Sequence, residues 1–439
     1  MTIHACIDAF NLSLEKGSGI ATYSRNLLAA LEAGGVETSL LHGPQGAVGA
    51  DVLVDEISSV DLARAGKKMT RMERIFHTWR AQTGLNASWT ARTGRIVRPD
   101  DGGYQGRHVG DWLSRDVFRT ANRCFDRHGR LTPLSFKTGD RPAPDVVHWT
   151  SSLPIHAVNA VNIHTIHDLI PAKLPFSTRE YKANYVRMLR KIVDRTDHIV
   201  VVSEATKSDL IDLLGVDDNR ITNTYQTAHL PGSGQSPAEV ARALEEVFGV
   251  AWKGYFLHYG TIEPKKNLGR LIEAYIRSGV DTPLIIVGAT GWLDEPETAV
   301  LNAIQTHGAA AERIRRYDFL PATVLGDLVR GAKATLFPSL YEGFGLPVLE
   351  SMMAGTAVLT STAGSLPEIA GDAALLVDPN DVKAIAGALR TLAADMAMVE
   401  ALGQAGLDRA PVFSEGEYRG RLSGMYARLG LTSPGATEV

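Results

Sequence analysis

Short apolar runs alternate with segments of helical spacing twice along this chain, the pattern of parallel sheets wound with crossover helices on both faces. The first series opens with a strand over residues 3–10 and a helix over 21–33, where Leu27, Leu28 and Leu31 recur at helical spacing. It resumes with Val146–Trp149, residues 163–167, a basic helix over 185–195 and a strand over 199–202, after which Ser203 caps the helix that starts SEATKSDL. The second series comprises residues 255–259, Leu284–Val287, Ala334–Phe337, 357–360 and 374–377. Between them lies HLPGSGQSPAEV, residues 229–240, whose Gly, Pro and Ser content predicts a linker. The expected architecture is therefore α/β, with two Rossmann-like doubly wound domains, 1–228 and 229–412, facing across a cleft. A last helix within 413–430 follows Pro411, and TSPGATEV reads as a loose tail.

Length agrees with this division, since 439 residues exceed what one core usually organises. A net charge of -4 argues against a general nucleic-acid binder. Cys6 and Cys124 are too few for a disulfide framework or zinc site, which fits a reducing cytoplasm. The N-terminus MTIHACIDAF reads as a buried strand containing Asp8, without the basic start and apolar core of a signal peptide. No apolar run approaches the roughly 18 residues that span a bilayer, so any membrane association is expected to be peripheral.

Charge changes the picture at residues 61–141, which break the alternation and are predicted to form a basic helical insertion in the first domain. They hold 17 Lys plus Arg against 8 Asp plus Glu, a net +9, whereas the rest of the chain holds 28 against 41, a net -13. Trp79, Trp89 and Trp112 are interleaved with the arginines. Two readings stand: the tryptophans settle on anionic headgroups or a lipid diphosphate, or they pack inward while the arginines are solvated.

The densest chemistry lies in ATLFPSLYEGFGLPVLE, residues 334–350. An apolar strand runs into a glycine loop and then a helix that Pro347 can begin. Glu342 falls in the loop and Glu350 one turn into the helix. A carboxylate accepts two hydrogen bonds from vicinal hydroxyls, as on a ribose, while glycine-loop and helix-start amides point at an anionic diphosphate. The spacing Glu, seven residues, Glu within EGFGLPVLE resembles the retaining family-four glycosyltransferases of the GT-B fold. That resemblance implies Glu342 beside the transferred sugar, Gly343, Phe344, Gly345 and Leu346 around sugar and phosphate, and Glu350 on the nucleoside ribose. It covers roughly residues 1–60 and 142–430, and in this family a C-terminal segment crosses back to the first domain.

Three further stretches sit at strand ends, where a doubly wound sheet places its ligand. Gly17-Ser18-Gly19-Ile20 follows the first strand without a full GxGxxG, and the resemblance carries Gly19 to the donor diphosphate or acceptor. Asn11 and Tyr23 are candidates for the same pocket wall. HTIHDLIP ends in His167 and Asp168; the imidazole can bond a sugar hydroxyl or face a phosphate, and the resemblance puts it beside the transferred sugar, with Asp168 toward the acceptor. GTIEPKKN, residues 260–267, offers Lys265 and Lys266 to a diphosphate, Lys266 foremost. Many resembling enzymes carry an arginine where this chain has Thr261, and a lysine lacks the guanidinium's bidentate fork. Residues 364–368 form another strand-to-helix turn whose amides can meet the donor.

No convincing metal-binding DxD is present, and no cofactor is expected. The resemblance implies transfer with retention, the leaving diphosphate oxygen taking the acceptor's proton. HDLIP and GTIEPKKN look most like bacterial mannosyltransferases of surface polysaccharide, so GDP-mannose is the first donor and a UDP- or dTDP-hexose such as rhamnose the second. The acceptor expected is a glycan on a lipid carrier. A non-catalytic nucleotide-sugar sensor is the competing class, supported by Thr261.

Overall fold

A computed structural model describes residues 2–12, 19–46, 48, 51–60, 69–93, 95–96, 110–139, 141–178, 181–289, 291 and 313–431. Among these, ten strands build the first sheet: β1 (His4–Asp8), β2 (Glu37–His42), β3 (Leu85–Ala91), β4 (Gly110–Leu113), β5 (Thr132–Lys137), β6 (Val146–Trp149), β7 (Ile155–Ala157), β8 (Val161–Ile166), β9 (His198–Val201) and β10 (Ile221–Asn223). Their order is β10-β9-β8-β6-β1-β2-β4-β3-β5-β7. Pairing is parallel from β10 to β4, and the β3–β4 pair is antiparallel. The second sheet holds β11 (Phe256–Tyr259), β12 (Leu284–Val287), β13 (Ile314–Tyr317), β14 (Ala334–Phe337), β15 (Ala357–Ser361) and β16 (Leu375–Val377) among the described residues. Its order is β13-β12-β11-β14-β15-β16, all parallel. The two doubly wound parallel-sheet domains expected from the pattern are thus present. Strands β11, β12 and β14 are buried at every position because helices cover both faces, which is why they read as unbroken apolar runs rather than alternating ones.

One part of the expectation is corrected. Residues 61–141 are not a helical insertion: their described part supplies β3, β4 and β5 to the first sheet, with helix α3 (Arg71–Arg80) before β3 and α4 (Val117–His128) between β4 and β5, after α1 (Gly19–Ala33) and α2 (Val52–Val60). The strand signal lay in TPLSFK, whose Thr132, Leu134 and Phe136 are buried alternately with Pro133, Ser135 and Lys137. The charge of the preceding helix, with Arg119, Arg123 and Arg127, obscured it. The tryptophans divide between the two readings. Trp112 is fully buried. Trp89 packs edge-on to it at 5.2 Å beneath the Arg141 guanidinium, 4.4 Å from the ring. Trp79 is exposed.

The linker is shorter than its composition suggested. Ser236 and Glu239 form a capping box that starts the helix Pro237–Phe248, so extended chain ends at 236. At the other end of the chain, the helix Glu415–Arg428 packs on the first domain. Tyr426 shares a hydrogen bond of 2.7 Å with His148, and Arg428 donates to Thr222 at 2.9 Å. Tyr23, Leu27 and Val146 of the first domain join Phe344, Val348, Phe413 and Met425 in one apolar cluster. Among the described residues, no helix is long and apolar enough to cross a membrane.

Candidate active site

The carboxyl ends of β1, β8, β11 and β14 converge on the cleft, and the loop after β14 is shaped by its glycines. Gly345 has φ +99, a left-handed conformation that side chains resist, and a Cβ there would lie 2.7 Å from Leu366. The helix Leu346–Met353 begins at once, with Pro347 in its first turn. Ser365 braces the loop from behind: its Oγ lies 3.0 Å from the Glu342 carbonyl and 2.8 Å from that of Phe344, and its N–H donates to the former at 3.2 Å.

Glu342 is buried, and Lys266 Nζ donates to it at 2.6 Å. Burial pushes this carboxyl up, but Lys266 and then Lys265 outweigh that and hold it below its ordinary value. For Lys265 burial pulls the ammonium down, while Glu342, Asp168 and Glu263 more than compensate and leave it raised. Glu263 lies 3.6 Å from Lys265, its own carboxyl raised by burial despite both lysines. Two cations therefore stand among three carboxylates where the ends of β8, β11 and β14 meet. An arriving diphosphate can take over either ammonium. Thr261, where the resemblance favours an arginine, is exposed at the same edge.

Glu350 is half-buried one turn into the helix, with the Tyr259 hydroxyl 3.0 Å from its Oε2. Burial raises its carboxyl to about 7, against the opposing pull of the Tyr259 bond and the Lys266 charge. Glu342 and Glu350 thus differ in kind, one ionised by its lysine and the other titrating near neutrality.

Across the cleft, His167 Nε2 donates to the Thr150 carbonyl at 2.9 Å, leaving Nδ1 as the unprotonated nitrogen of the neutral ring. Burial lowers its pKa, partly offset by that bond and by Asp168. Thr150 is itself held by Asp8, which accepts its N–H and the Phe10 N–H at 3.1 Å. Asp8 is fully buried at the end of β1, and burial lifts its carboxyl to about 6. The chain Asp8, Thr150, His167 orients the imidazole, although in sequence Asp8 reads only as part of a strand. Asp168 caps the next turn, accepting from the Ile170 N–H at 3.0 Å.

The two halves touch at Gly343. A Cβ there would collide with the His167 carbonyl and approach Asp168 Cβ to 2.9 Å, so EGFG and HD meet only because residue 343 has no side chain. Gly19 similarly faces Leu346, 3.3 Å from where its Cβ would be; Gly17 and Ser18 lie outside the described residues.

One candidate stands elsewhere than expected. Tyr23 does not wall the cleft: it is buried beneath His167, edge-on at 4.9 Å, with its hydroxyl 2.9 Å from Thr165 Oγ1. An aromatic in the first turns of a helix facing a parallel sheet becomes core. The Phe344 side chain packs inward against Phe413 at 5.7 Å, leaving its backbone, the part assigned to the donor, to a ligand. Asn11 is buried at the rim and donates to Ser151 at 3.3 Å.

Sequence reasoning missed the role of Glu368 in joining the halves. Its carboxylate accepts the N–H groups of Glu204 at 2.7 Å and Ala205 at 3.1 Å, capping from the second domain a helix of the first. Nearby, Tyr341 donates to Asp209, which also accepts from Lys173 at 2.7 Å. Glu368→Ala is expected to cost about 1–2 kcal/mol of stability by denaturant titration and to enlarge the radius of gyration in X-ray scattering. Unchanged scattering would mean that Glu368 only caps its helix.

With this geometry in view, comparison with known proteins decides the family. Residues 250–409 match Glycosyl transferases group 1, and residues 95–225 match Glycosyltransferase Family 4. The chain belongs to these glycosyltransferases. Among curated relatives, the O-antigen chain mannosyltransferase B of Escherichia coli is 35% identical over 257 residues, 57% of this chain and 66% of that one. The serotype-specific mannosyltransferase WbdA of Escherichia coli is 26% identical over 322 residues, 68% of this chain but only 39% of its own length. The fold is that of the GT-B enzymes. Anabaena Alr3699/HepE in complex with UDP and glucose superimposes with a TM-score of 0.64 at 14% identity, covering 97% of this chain and all 100% of that one. WaaG, a glycosyltransferase involved in lipopolysaccharide biosynthesis, gives 0.57 at 14% identity, covering 96% and 99%.

Proposed function

We propose that this group 1 glycosyltransferase moves mannose from GDP-mannose to a lipid-linked glycan acceptor in polysaccharide assembly, with retention of configuration and without a metal or resident cofactor. The observation that carries the reading is the pairing of Lys266 with Glu342 one loop away from Glu350, in a loop that meets the His167 backbone of the other domain at Gly343. The curated relatives' mannosyltransferase activity supports the choice of sugar.

The donor lies on the second domain. Glu350 accepts the ribose hydroxyls, Lys266, Lys265 and the amides from Gly343 to Leu346 hold the diphosphate beside Gly19 and Thr261, and Glu342 contacts the transferred sugar. His167 bonds a hydroxyl of that sugar from the opposite side. The acceptor enters along the first domain past Asn11 and Asp168. The leaving diphosphate oxygen takes the acceptor proton on the face it departs from, so no separate protein base is required.

Calorimetry of the chain with GDP, UDP, dTDP and their sugars tests this directly. GDP-mannose is expected to bind about tenfold or more tightly than the UDP and dTDP sugars, with no change on adding EDTA. Preference for a UDP or dTDP hexose would replace the donor. Binding of a nucleotide sugar without hydrolysis or transfer to any glycan would favour the sensor.

A further inference from the structure

Helix α3 is amphipathic with its apolar side turned away from the protein. Met72, Ile75, Phe76 and Trp79 recur at helical spacing, and they are 75%, 42%, 61% and 61% exposed. The face turned inward carries only Thr78, His77 and the following Ala81, with His77 Nδ1 3.2 Å from Thr120 on α4. The helix is nonetheless well formed, since Thr70 and Glu73 make a capping box at its start. That box folds the helix's one acid back onto Thr70, so Arg71, Arg74 and Arg80 dominate the exposed surface. Helix α2 shows the same inversion, with Val52, Leu53, Val54 and Ile57 exposed while Asp55 and Glu56 are buried. Neither helix falls within residues 95–225 or 250–409, the ranges that match the family domains.

Its position relates it to the site. Phe118 of α4 packs on Phe10, just beyond β1, at 5.3 Å. The other end of α4 meets the helix Lys182–Arg195, where Asn184 donates to Asp126 at 2.7 Å and the Arg187 guanidinium lies 5.3 Å from the Phe125 ring centroid. Helix α4 therefore crosses the cleft edge of the first sheet, and α3 lies on its outer side, on the acceptor half.

We propose that α3 is a membrane-docking helix, seating Phe76 and Trp79 in the headgroup boundary of an anionic bilayer and bringing the acceptor side of the cleft to that surface. Exposed aromatics flanked by arginines match an interface where apolar depth and negative charge coincide. A second copy of this chain fits poorly as the occupant: two-fold pairing of this face would set Arg71, Arg74 and Arg80 against the same arginines. The inference extends the proposed acceptor class but does not depend on the donor.

Vesicle sedimentation of the full chain tests it, using phosphatidylcholine vesicles with and without phosphatidylglycerol. The chain is expected to bind only the anionic vesicles, to be released by salt, and to show a blue shift of tryptophan emission on binding. Phe76→Ser/Trp79→Ser should lower vesicle affinity at least about tenfold, and each of Arg71→Gln, Arg74→Gln and Arg80→Gln about fivefold. Nucleotide-sugar calorimetry on the same variants should be unchanged, which separates failure of this proposal from failure of the donor reading. Equal vesicle binding by wild type and the double variant would overturn it. So would a wild-type dimer that the double variant makes monomeric while vesicle binding stays the same.

Discussion

Replacing Lys266 by alanine is expected to lower the unfolding free energy by about 3 kcal/mol and kcat by about a hundredfold or more. The stability loss follows from burial. Lys266 and Glu342 side chains are only 13% and 10% exposed, and removing the ammonium strands a buried carboxylate that Lys265 only partly compensates. Because Glu342's carboxyl is held below its ordinary value, the pair's stabilisation is present above the unfolded carboxyl pKa, near 4.5, and is lost as pH falls through the lower folded value. Wild type and variant should therefore converge in stability toward acid pH. The double variant Lys266→Met/Glu342→Gln should recover much of the stability, since no unpaired charge remains, while staying inactive. Denaturant titration and single-turnover kinetics separate the two effects. Restored turnover in the double variant would reduce Lys266 to a structural counter-ion.

The second expectation concerns pH. A carboxylate accepts two ribose hydroxyls, whereas a protonated acid offers a donor where the ribose needs an acceptor. With the Glu350 carboxyl at about 7, only about a tenth of it is ionised at one pH unit below, so nucleotide affinity should fall about tenfold from pH 8 to pH 6. Bound nucleotide draws the proton off, and binding near pH 7 should release close to half a proton, read as a buffer-dependent calorimetric enthalpy. For folding the sign is opposite to that of Glu342: the raised carboxyl favours the folded state below about 4.5, and this contribution is lost as pH rises through about 7. Glu350→Gln should bind more weakly and show no slope across this range. A flat wild-type profile would remove Glu350 from the ribose.

Much of this protein is legible from local pattern. Unbroken apolar strands such as LIIV and ATLF, the helical spacing of Leu27, Leu28 and Leu31, and the turn chemistry of EGFGLPVLE each depend on near neighbours in the chain. They were enough for two parallel sheets, the strand ends at which chemistry collects, and the family. The strands in residues 61–141 were hidden because the many arginines, six of them on α3 and α4, set the composition, while the alternation in TPLSFK spans only six residues.

What only the tertiary structure decided is which partner each polar group meets. Asp8 becomes the brace of Thr150 and His167 through contacts 142 residues apart in one case. Glu368 caps a helix of the other domain, Tyr23 retreats under His167, and Gly343 is required by a backbone in the first domain. The direction of α3's apolar stripe belongs here too, because periodicity says that a face exists but not what covers it. Spacing along the chain fixes secondary structure and the direction of side chains about an element. Burial, and with it the differing charge states of Glu342 and Glu350, arises only when distant elements exclude water together.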